Sequence, residues 1–459
     1  MNFEEYTEKL TEQFNDKGVK RKAQKLIKKI IEFKTIKIWT ISENRNDYEK
    51  YKTMLDNSLK SVLDEKKVSE ALLENSANKF SDKKRIFIIG DHCDIRKKYS
   101  KKLENLGKVR DLDGNITNGY TTLGTAIVDE DKKSVTLADI SVFSNKEDRF
   151  ISQEELKKYE NSKIESEERT EELKELIDSN NHINMTLSVR KQTGRVSESL
   201  KAKNPDLVLC HVHDRFCDSV GYMEHIDQTL NDEFVVRAKL SRNSNKIKIN
   251  AKGNKQAIKL IDAEFSNKKQ YLIDKLRLKG KIYQQAKVLI EWDKVTLNKN
   301  EYTAVRITLK TKDAKPIHNK PMLLISNIKV TTYLEAKEIY HIYLMRSKIE
   351  AVFKFLKDVL GWEEFQVRDW DSIKNIIALC FFVGNYFYEI ESSLIENPTI
   401  EIICQMGSSK GIVSRHFFLE GLKVMLITQN TLRLKKDLGI SNETWREMEA
   451  FAGISGDEF

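Results

Sequence analysis

Tyr343-Leu-Met-Arg346-Ser-Lys-Ile-Glu350-Ala-Val-Phe-Lys-Phe-Leu-Lys357 sets a tyrosine, an arginine, a glutamate and a lysine at offsets 0, 3, 7 and 14. Read as one continuous helix at about 3.6 residues per turn, these offsets put four polar side chains on one narrow stripe. Ile349, Val352, Phe353 and Leu356 form a neighbouring apolar stripe that can seat the helix on a core. One carboxylate among two cations and a phenol suits a site that holds a divalent metal and grips a phosphate backbone. An ordinary charged helix with an i,i+4 pair between Arg346 and Glu350 accounts for the same stretch.

Working outward, the 459 residues exceed a single small core, and about 150 residues per domain implies roughly two to four domains. Forty percent hydrophobic content, 32% charge and only four prolines read as folded and rich in helix. The net charge of +9 is compatible with nucleic acid, so the placement of the cations matters more than their sum. Five scattered cysteines (Cys93, Cys210, Cys217, Cys380, Cys404) do not space as a disulfide framework and point to a reducing cytoplasm. The acidic start Met-Asn-Phe-Glu-Glu lacks a signal core, and the apolar run from Ile376 to Tyr388 is shorter than the roughly 20 residues that span a bilayer.

Residues 1 to 82 read as a helical unit, in which Ala23, Leu26, Ile27, Ile30 and Ile31 recur at helical spacing. Around that face stand Lys20, Arg21, Lys22, Lys25, Lys28 and Lys29, a surface for phosphate contact or a solvated lysine face. A second helix is expected from Tyr48 to Leu73. Arg85-Ile-Phe-Ile-Ile-Gly-Asp91 then reads as a buried strand ending on a carboxylate. Two more strands, Tyr120 to Val128 and Ser134 to Phe143, complete a meander, and residues 150 to 200 are charged and helix-favouring. Asp206-Leu-Val-Leu-Cys-His-Val-His213 repeats the buried-strand pattern and delivers Asp214, followed by Arg215. Glu233 to Lys239 is a further strand. Strand-like segments at 246–249, 287–292, 303–309 and 322–326 precede a capping box at Thr332 and Glu335. Beyond Trp362 the chain reads as helical.

Asp91 and Asp214 at strand ends, with Glu350 on a helix across them, would bring three carboxylates together. Such a cluster repels itself unless hard divalent cations neutralise it. Mg²⁺ fits, because it takes oxygen ligands and leaves positions for water and phosphate. Two ions about 3.5 to 4 Å apart would activate an attacking oxygen and stabilise a leaving one. That is phosphodiester chemistry.

The order strand-Asp, meander, strand-Asp, strand, helix-Glu resembles the ribonuclease-H-like fold: a mixed α/β sheet with helices, an all-β insertion and helical termini. The spacing of Tyr343, Arg346, Glu350 and Lys357 resembles that of bacterial cut-and-paste DDE transposases of the YREK insertion-sequence type. Gly90-Asp91-His-Cys-Asp-Ile-Arg-Lys, Leu106-Gly107, Gly119-Tyr120, His213-Asp214-Arg215-Phe-Cys-Asp218 and Phe234-Val-Val-Arg237-Ala-Lys239 extend the likeness, over about 84 to 365. The resemblance implies a DNA-end-binding head at 1–82, a catalytic core at 83–240 and 331–370, a β insertion at 241–330 and a dimerisation region at 371–459. It implies that Asp91, Asp214 and Glu350 are catalytic and bind two Mg²⁺ ions, with Mn²⁺ as a substitute. Tyr343, Arg346 and Lys357 would hold phosphates, Arg215 and Arg237 would be weaker DNA contacts, and Lys20, Arg21 and Lys22 would serve end recognition. The implied partners are the element's terminal inverted repeats, target DNA and a second copy of the chain, in the cytoplasm at the nucleoid.

Met322, beside Pro321, falls where related enzymes carry a tryptophan that stacks on a flipped base, and a thioether offers no flat ring. Asp94 competes with Asp91, which is preferred because it ends the apolar run. Cys210, His211, His213 and Cys217 suggest zinc by type, but on a strand Cys210 points away from both histidines. His92 and Cys93 read as packing residues, and Trp362 and Trp370 as core, although stacking on nucleic acid is open to both tryptophans. The lysines from Lys97 to Lys102 are a phosphate contact or a solvated face. The functions that compete with transposition are an end-binding repressor that no longer cuts, a structural or interaction protein in which these acids are surface groups, and a stand-alone nuclease of the same fold.

Overall fold

The computed structural model describes residues 3–12, 17–56, 64–111, 113–131, 134–160, 175–177, 179, 182–249, 255–278, 281–391, 397–408 and 412–451. The first helices are α1 (Phe3–Thr11), α2 (Lys17–Phe33), α3 (Ile38–Ile41), α4 (Arg45–Leu55) and α5 (Glu65–Lys79). The single helix expected from Tyr48 to Leu73 is thus two, each opened by its own cap: Asn44 accepts from Asp47 N and Asp64 from Lys67 N. The expected residues between them, 57–63, lie outside the described residues, as do 161–174 of the charged stretch and 250–254 of the insertion.

Then come β1 (Arg85–Arg96), β2 (Gly107–Arg110), β3 (Ile116–Asp129), β4 (Val135–Phe143), α6 (Gln153–Glu160), α7 (Met185–Lys203), β5 (Val208–His213), a 3₁₀ turn at Arg215–Cys217, α8 (Val220–Glu224) and β6 (Glu233–Arg237). The intervening segment holds β7 (Asn243–Ile249), β8 (Lys255–Lys259), β9 (Asn267–Leu278), β10 (Lys281–Leu297) and β11 (Asn300–Lys310), followed by β12 (Met322–Ser326). The chain ends in α9 (Tyr333–Leu344), α10 (Ser347–Leu360), α11 (Trp370–Glu391), α12 (Pro398–Gly407), α13 (Arg415–Asp437) and α14 (Asn442–Phe451).

In the sheet, β4 and β2 pair with β3, β3 with β1, β1 with β5 and β5 with β6, and the sheet continues through β12, β11, β10 and β9. β1–β3 and β3–β4 are antiparallel, whereas β1–β5 and β5–β6 are parallel. This is the mixed sheet of a ribonuclease-H-like fold. Its central strands are buried on both faces, as packing between helical layers requires. The strands between β6 and β12 prolong the same sheet, because β12 pairs with β6 on one side and β11 on the other.

The helices at the two ends of the chain pack together. Tyr6, fully buried, donates its hydroxyl to Phe382 O of α11 at 2.7 Å, and α2 buries Leu26, Ile27 and Ile30. The strongly apolar α11 is buried along nearly its whole length. Among the described residues no helix is long and apolar enough to cross a membrane.

Two sequence expectations are corrected here. β1 does not end at Asp91 but runs five residues further to Arg96; what ends is its partner β5, so Asp91 sits where β1 loses its parallel neighbour. Nor is Tyr343–Lys357 one helix. α9 stops at Leu344 and α10 starts at Ser347, with Met345 N bonded to Ile342 O and Arg346 N to Tyr343 O, three residues back rather than four. This tightened turn breaks the continuous stripe while keeping both helices on the sheet.

Candidate active site

Strand register brings the two aspartates together. β1 and β5 pair in parallel with Ile89 opposite Val212. Two residues on, Asp91 and Asp214 therefore leave adjacent strands side by side. Asp214 follows β5 and caps the 3₁₀ turn, its Oδ1 accepting from Phe216 N at 2.8 Å.

The signature segment reaches this edge because the sheet is bare there. Asp91 pairs with Gly124 of β3, and a Cβ at Gly124 would lie 2.9 Å from Phe353 Cε1. Only glycine lets Phe353 of α10 come down onto the strand. The turn before α10 then places Arg346 between two acids: Nη2 donates to Asp91 Oδ2 at 2.7 Å, and Nη1 donates to Glu350 Oε1. Burial pushes the Asp91 carboxyl up to about 7; the Arg346 charge opposes this, Asp214 adds to it, the His92 N–H opposes it, and Glu350 adds to it. Asp214 and Glu350 are thus each within electrostatic reach of Asp91.

A buried relay behind the aspartates was not visible in the sequence. His213, immediately before Asp214, donates from Nδ1 to Gly90 O at 3.1 Å, immediately before Asp91. Its Nε2 accepts from Tyr222 Oη at 2.9 Å, and that hydroxyl lies 2.8 Å from Thr193 Oγ1. A Cβ at Gly90 would lie 2.9 Å from His213 Cε1, so glycine is required for this approach. One imidazole therefore ties the backbone of both acid-bearing strands. Burial holds it well below the ordinary histidine range, at about 3, and so neutral. His211 is likewise committed, with Nε2 3.0 Å from Asp232 Oδ2 and 3.1 Å from Ser197 Oγ. These are core histidines bonded to oxygen.

Asp94, the competitor of Asp91, accepts from Arg110 N and Thr121 Oγ1, each at 3.2 Å, and so helps join β1 to β2 and β3. His92 lies between Phe143 and Phe216, and Cys93 is half-buried. Trp362 is fully buried and donates to Ile377 O at 3.0 Å, and Trp370 stacks on Tyr120. Both tryptophans are core.

The expected phosphate contacts are placed unequally. Tyr343 is only 5% exposed; burial raises its pKa, and the neighbouring Arg237 and Arg346 charges oppose the rise. Lys357 is bound to Asp94 O at 2.5 Å and to Glu363 Oε1 at 2.8 Å. Arg215 and Arg237 line a cleft of about 510 Å³ with His318, Lys320, Met322 and Tyr340. On α2, Lys25 pairs with Glu43 and Asp47, Lys28 with Glu4 and Lys29 with Glu32. Lys20, Arg21 and Lys22 have no ion-pair partner among the described residues, and Arg21 and Lys22 are exposed. Lys97 is anchored to Glu363 O and Phe365 O, whereas Lys98, Lys101 and Lys102 face solvent.

The donor set at the acids is all oxygen and mutually repulsive, which suits a hard divalent cation. Among the described residues no three histidine, cysteine, aspartate or glutamate side chains are gathered into a metal cage. Arg346 occupies the space between Asp91 and Glu350 that a third ligand would need.

Residues 212–386 match the family model described as the transposase DDE domain, which supports a DDE transposase. The match takes in Asp214, Tyr343, Arg346, Glu350 and Lys357 and leaves Asp91 outside. No curated protein matches the chain.

Proposed function

We propose that the protein cuts a mobile DNA element at its terminal inverted repeats and joins it to target DNA. The observation that carries this reading is the meeting of Asp91, Asp214 and the Arg346–Glu350 pair at one sheet edge. Asp91, Asp214 and Glu350 would hold divalent ions, two of Mg²⁺ or Mn²⁺. When bound, these supply activation of an attacking oxygen and stabilisation of the leaving one. The 3′ hydroxyl freed by the first cut is the nucleophile for the later steps.

The chain's own residues bind and orient. Arg346 neutralises Asp91 and Glu350 while the site is empty of DNA, and a backbone phosphate competes for the same guanidinium through paired N–H bonds. Capture of DNA thereby frees both carboxylates. Tyr343 acts through Arg237, steadying it at the mouth of the cleft, and Arg215 stands beside it. Lys357 offers its ammonium to phosphate in competition with Glu363. Lys20, Arg21 and Lys22 supply an element-end contact on α2. The exposed Val424, Met425, Ile427, Leu432 and Leu434 of α13 form an apolar surface suited to a second copy of the chain. Such an enzyme would work in the cytoplasm on nucleoid DNA.

The test is to incubate the purified chain and Mg²⁺ with labelled DNA carrying the ends that flank its own gene, beside Asp91→Ala. Breaks at the element boundary are expected with the wild type alone, and joined strands among the products distinguish transposition from a nuclease of the same fold. Equal cutting by Asp91→Ala, or none by the wild type with Mg²⁺ or Mn²⁺, overturns the proposal. Glu350→Gln should bind ends without cutting them, whereas Lys357→Ala should cut them more slowly.

A further inference from the structure

Past Asp91, β1 has a strand neighbour on one edge only: its pairing with β3 continues to Arg96 opposite Gly119, whereas its pairing with β5 stops at Ile89. Alternate residues of a strand turn their N–H and C=O groups to alternate edges. Lys97 N donates to Asn118 O of β3, so the odd-numbered residues face β3, and Gly90, His92, Asp94 and Arg96 face the other edge. A strand edge without a neighbour presents unpaired backbone groups.

Side chains close this edge. Gly90 O accepts from His213 Nδ1 at 3.1 Å, His92 N donates to Asp91 Oδ1 at 3.0 Å, Asp94 O accepts from Lys357 Nζ at 2.5 Å, and Arg96 N donates to Glu363 Oε1 at 3.2 Å. The last two bonds are one device, because the same Oε1 also meets Lys357 Nζ at 2.8 Å. Glu363 Oε2 lies 3.4 Å from Arg96 Nη2, so one carboxylate holds both the backbone and the guanidinium of Arg96. The bridged acid and ammonium give β1 an acceptor for its N–H and a donor for its C=O, the two groups that a neighbouring strand would supply.

The turn after α10 carries Glu363 to this place. Gly361 has a φ of +65°, the left-handed conformation that ends the helix and favours glycine. Trp362 N bonds back to Leu356 O, and the buried indole fixes the turn on α11 through Ile377 O. Lys97 Nζ then holds Glu363 O at 2.6 Å and Phe365 O at 2.7 Å, which fastens the turn to the end of β1.

We propose that Glu363 is a positioning residue: with Lys357 it closes the free edge of β1 and so keeps Asp91 in place for cutting. This rests on the DNA-cutting reading above. Asp94 and Arg96 are about 10 and 17 Å along β1 from Asp91, so Glu363 acts through the strand and not on the reacting atoms. Removing its carboxylate leaves Arg96 N without this acceptor and Lys357 without this counter-charge. The strand beyond Asp91 loosens while an ammonium is released for phosphate. Cutting should therefore slow without any weakening of end binding.

The test compares the full chain with Glu363→Ala and Glu363→Gln by hydrogen exchange, read by mass spectrometry, and by the kinetics of end cutting. In Glu363→Ala the amides from His92 to Arg96 should exchange roughly 5- to 100-fold faster, with those of α11 unchanged. Glu363→Gln keeps an oxygen for Arg96 N and should restore most of the protection, which separates loss of the bond from loss of the fold. Cutting by Glu363→Ala should fall roughly 10- to 100-fold through kcat, with KM for the labelled ends no higher than in the wild type. Unchanged exchange from His92 to Arg96, or exchange accelerated equally in α11, overturns the proposal. So does a raised KM with kcat intact, or wild-type cutting by a variant whose edge exchanges faster. Absence of cutting by the wild type itself sinks the transposase reading alone, since the exchange measurement decides the edge closure without it.

Discussion

Arg346 gives Nη1 to Glu350 and Nη2 to Asp91, and the proposed exchange of these bonds for a DNA phosphate is measurable. In Arg346→Ala without DNA, Mg²⁺ should raise the melting temperature more than in the wild type, because nothing else competes for the acids; end binding should weaken. An unchanged Mg²⁺ response would remove the competition from the argument. Tyr222→Phe tests the relay behind the aspartates by deleting one hydroxyl. The lost hydrogen bonds should cost about 1 kcal/mol of stability, and disturbance of the acids' backbone should weaken Mg²⁺ binding roughly 10- to 100-fold. Stability loss with unchanged Mg²⁺ affinity would reduce the relay to packing. Asp91 was legible as the first polar residue after a buried apolar run, and Asp214 as the acid that follows the buried-strand pattern ending in His213. Tyr222 and Gly124 were not, because each depends on a partner brought near by strand pairing.

Among the elements, α9 and α10 depend on local and distant devices. At the start of α9, Thr332 Oγ1 accepts from Glu335 N at 3.3 Å, and Glu335 Oε2 accepts from Thr332 N at 2.9 Å. Backbone N–H groups of Thr331 and Thr332 hold the Glu335 carboxyl down at about 2. This capping box was readable from two residues. Thr332→Ala should cost about 1 kcal/mol in chemical denaturation. The break after Leu344 was not readable, since no glycine or proline marks Met345 or Arg346. Packing of Phe353 on β3 and of α9 on β6 decides it. Gly124→Ala should therefore push Phe353 outward and destabilise by about 1–3 kcal/mol, with a matching fall in end cutting. Full stability in that variant would show that α10 can shift freely.

At the scale of the whole molecule, the N-terminal helices share one core with α10 and α11, and Glu65 is one of the joints. Its Oε1 accepts from Val142 N of β4 at 2.6 Å, and its own N–H donates to Asn375 Oδ1 of α11 at 2.8 Å. Burial pushes its carboxyl from 4.5 up to about 7. Between those values the folded chain holds a proton that the unfolded chain has released, so this group makes stability fall as pH rises from 4.5 to 7, with no further change above. Glu65→Gln should accordingly be more stable than the wild type at pH 8 by roughly 1–3 kcal/mol and no different at pH 4. Denaturation at both pH values checks this, and a destabilised Glu65→Gln at pH 8 would mean that the ionised carboxylate is the form the fold prefers.

The sequence by itself determined the element types and the position of the acids along the chain. Those follow from short-range causes: apolar runs that must be buried, caps that satisfy free N–H groups, and the spacing of polar residues on a helix. Tertiary structure alone decided that Ile89 lies opposite Val212, that His213 reaches Gly90 O, and that Arg346 stands between Asp91 and Glu350. Strand register and the approach of distant side chains depend on how whole elements pack, and a one-residue slip would turn each acid to the opposite face.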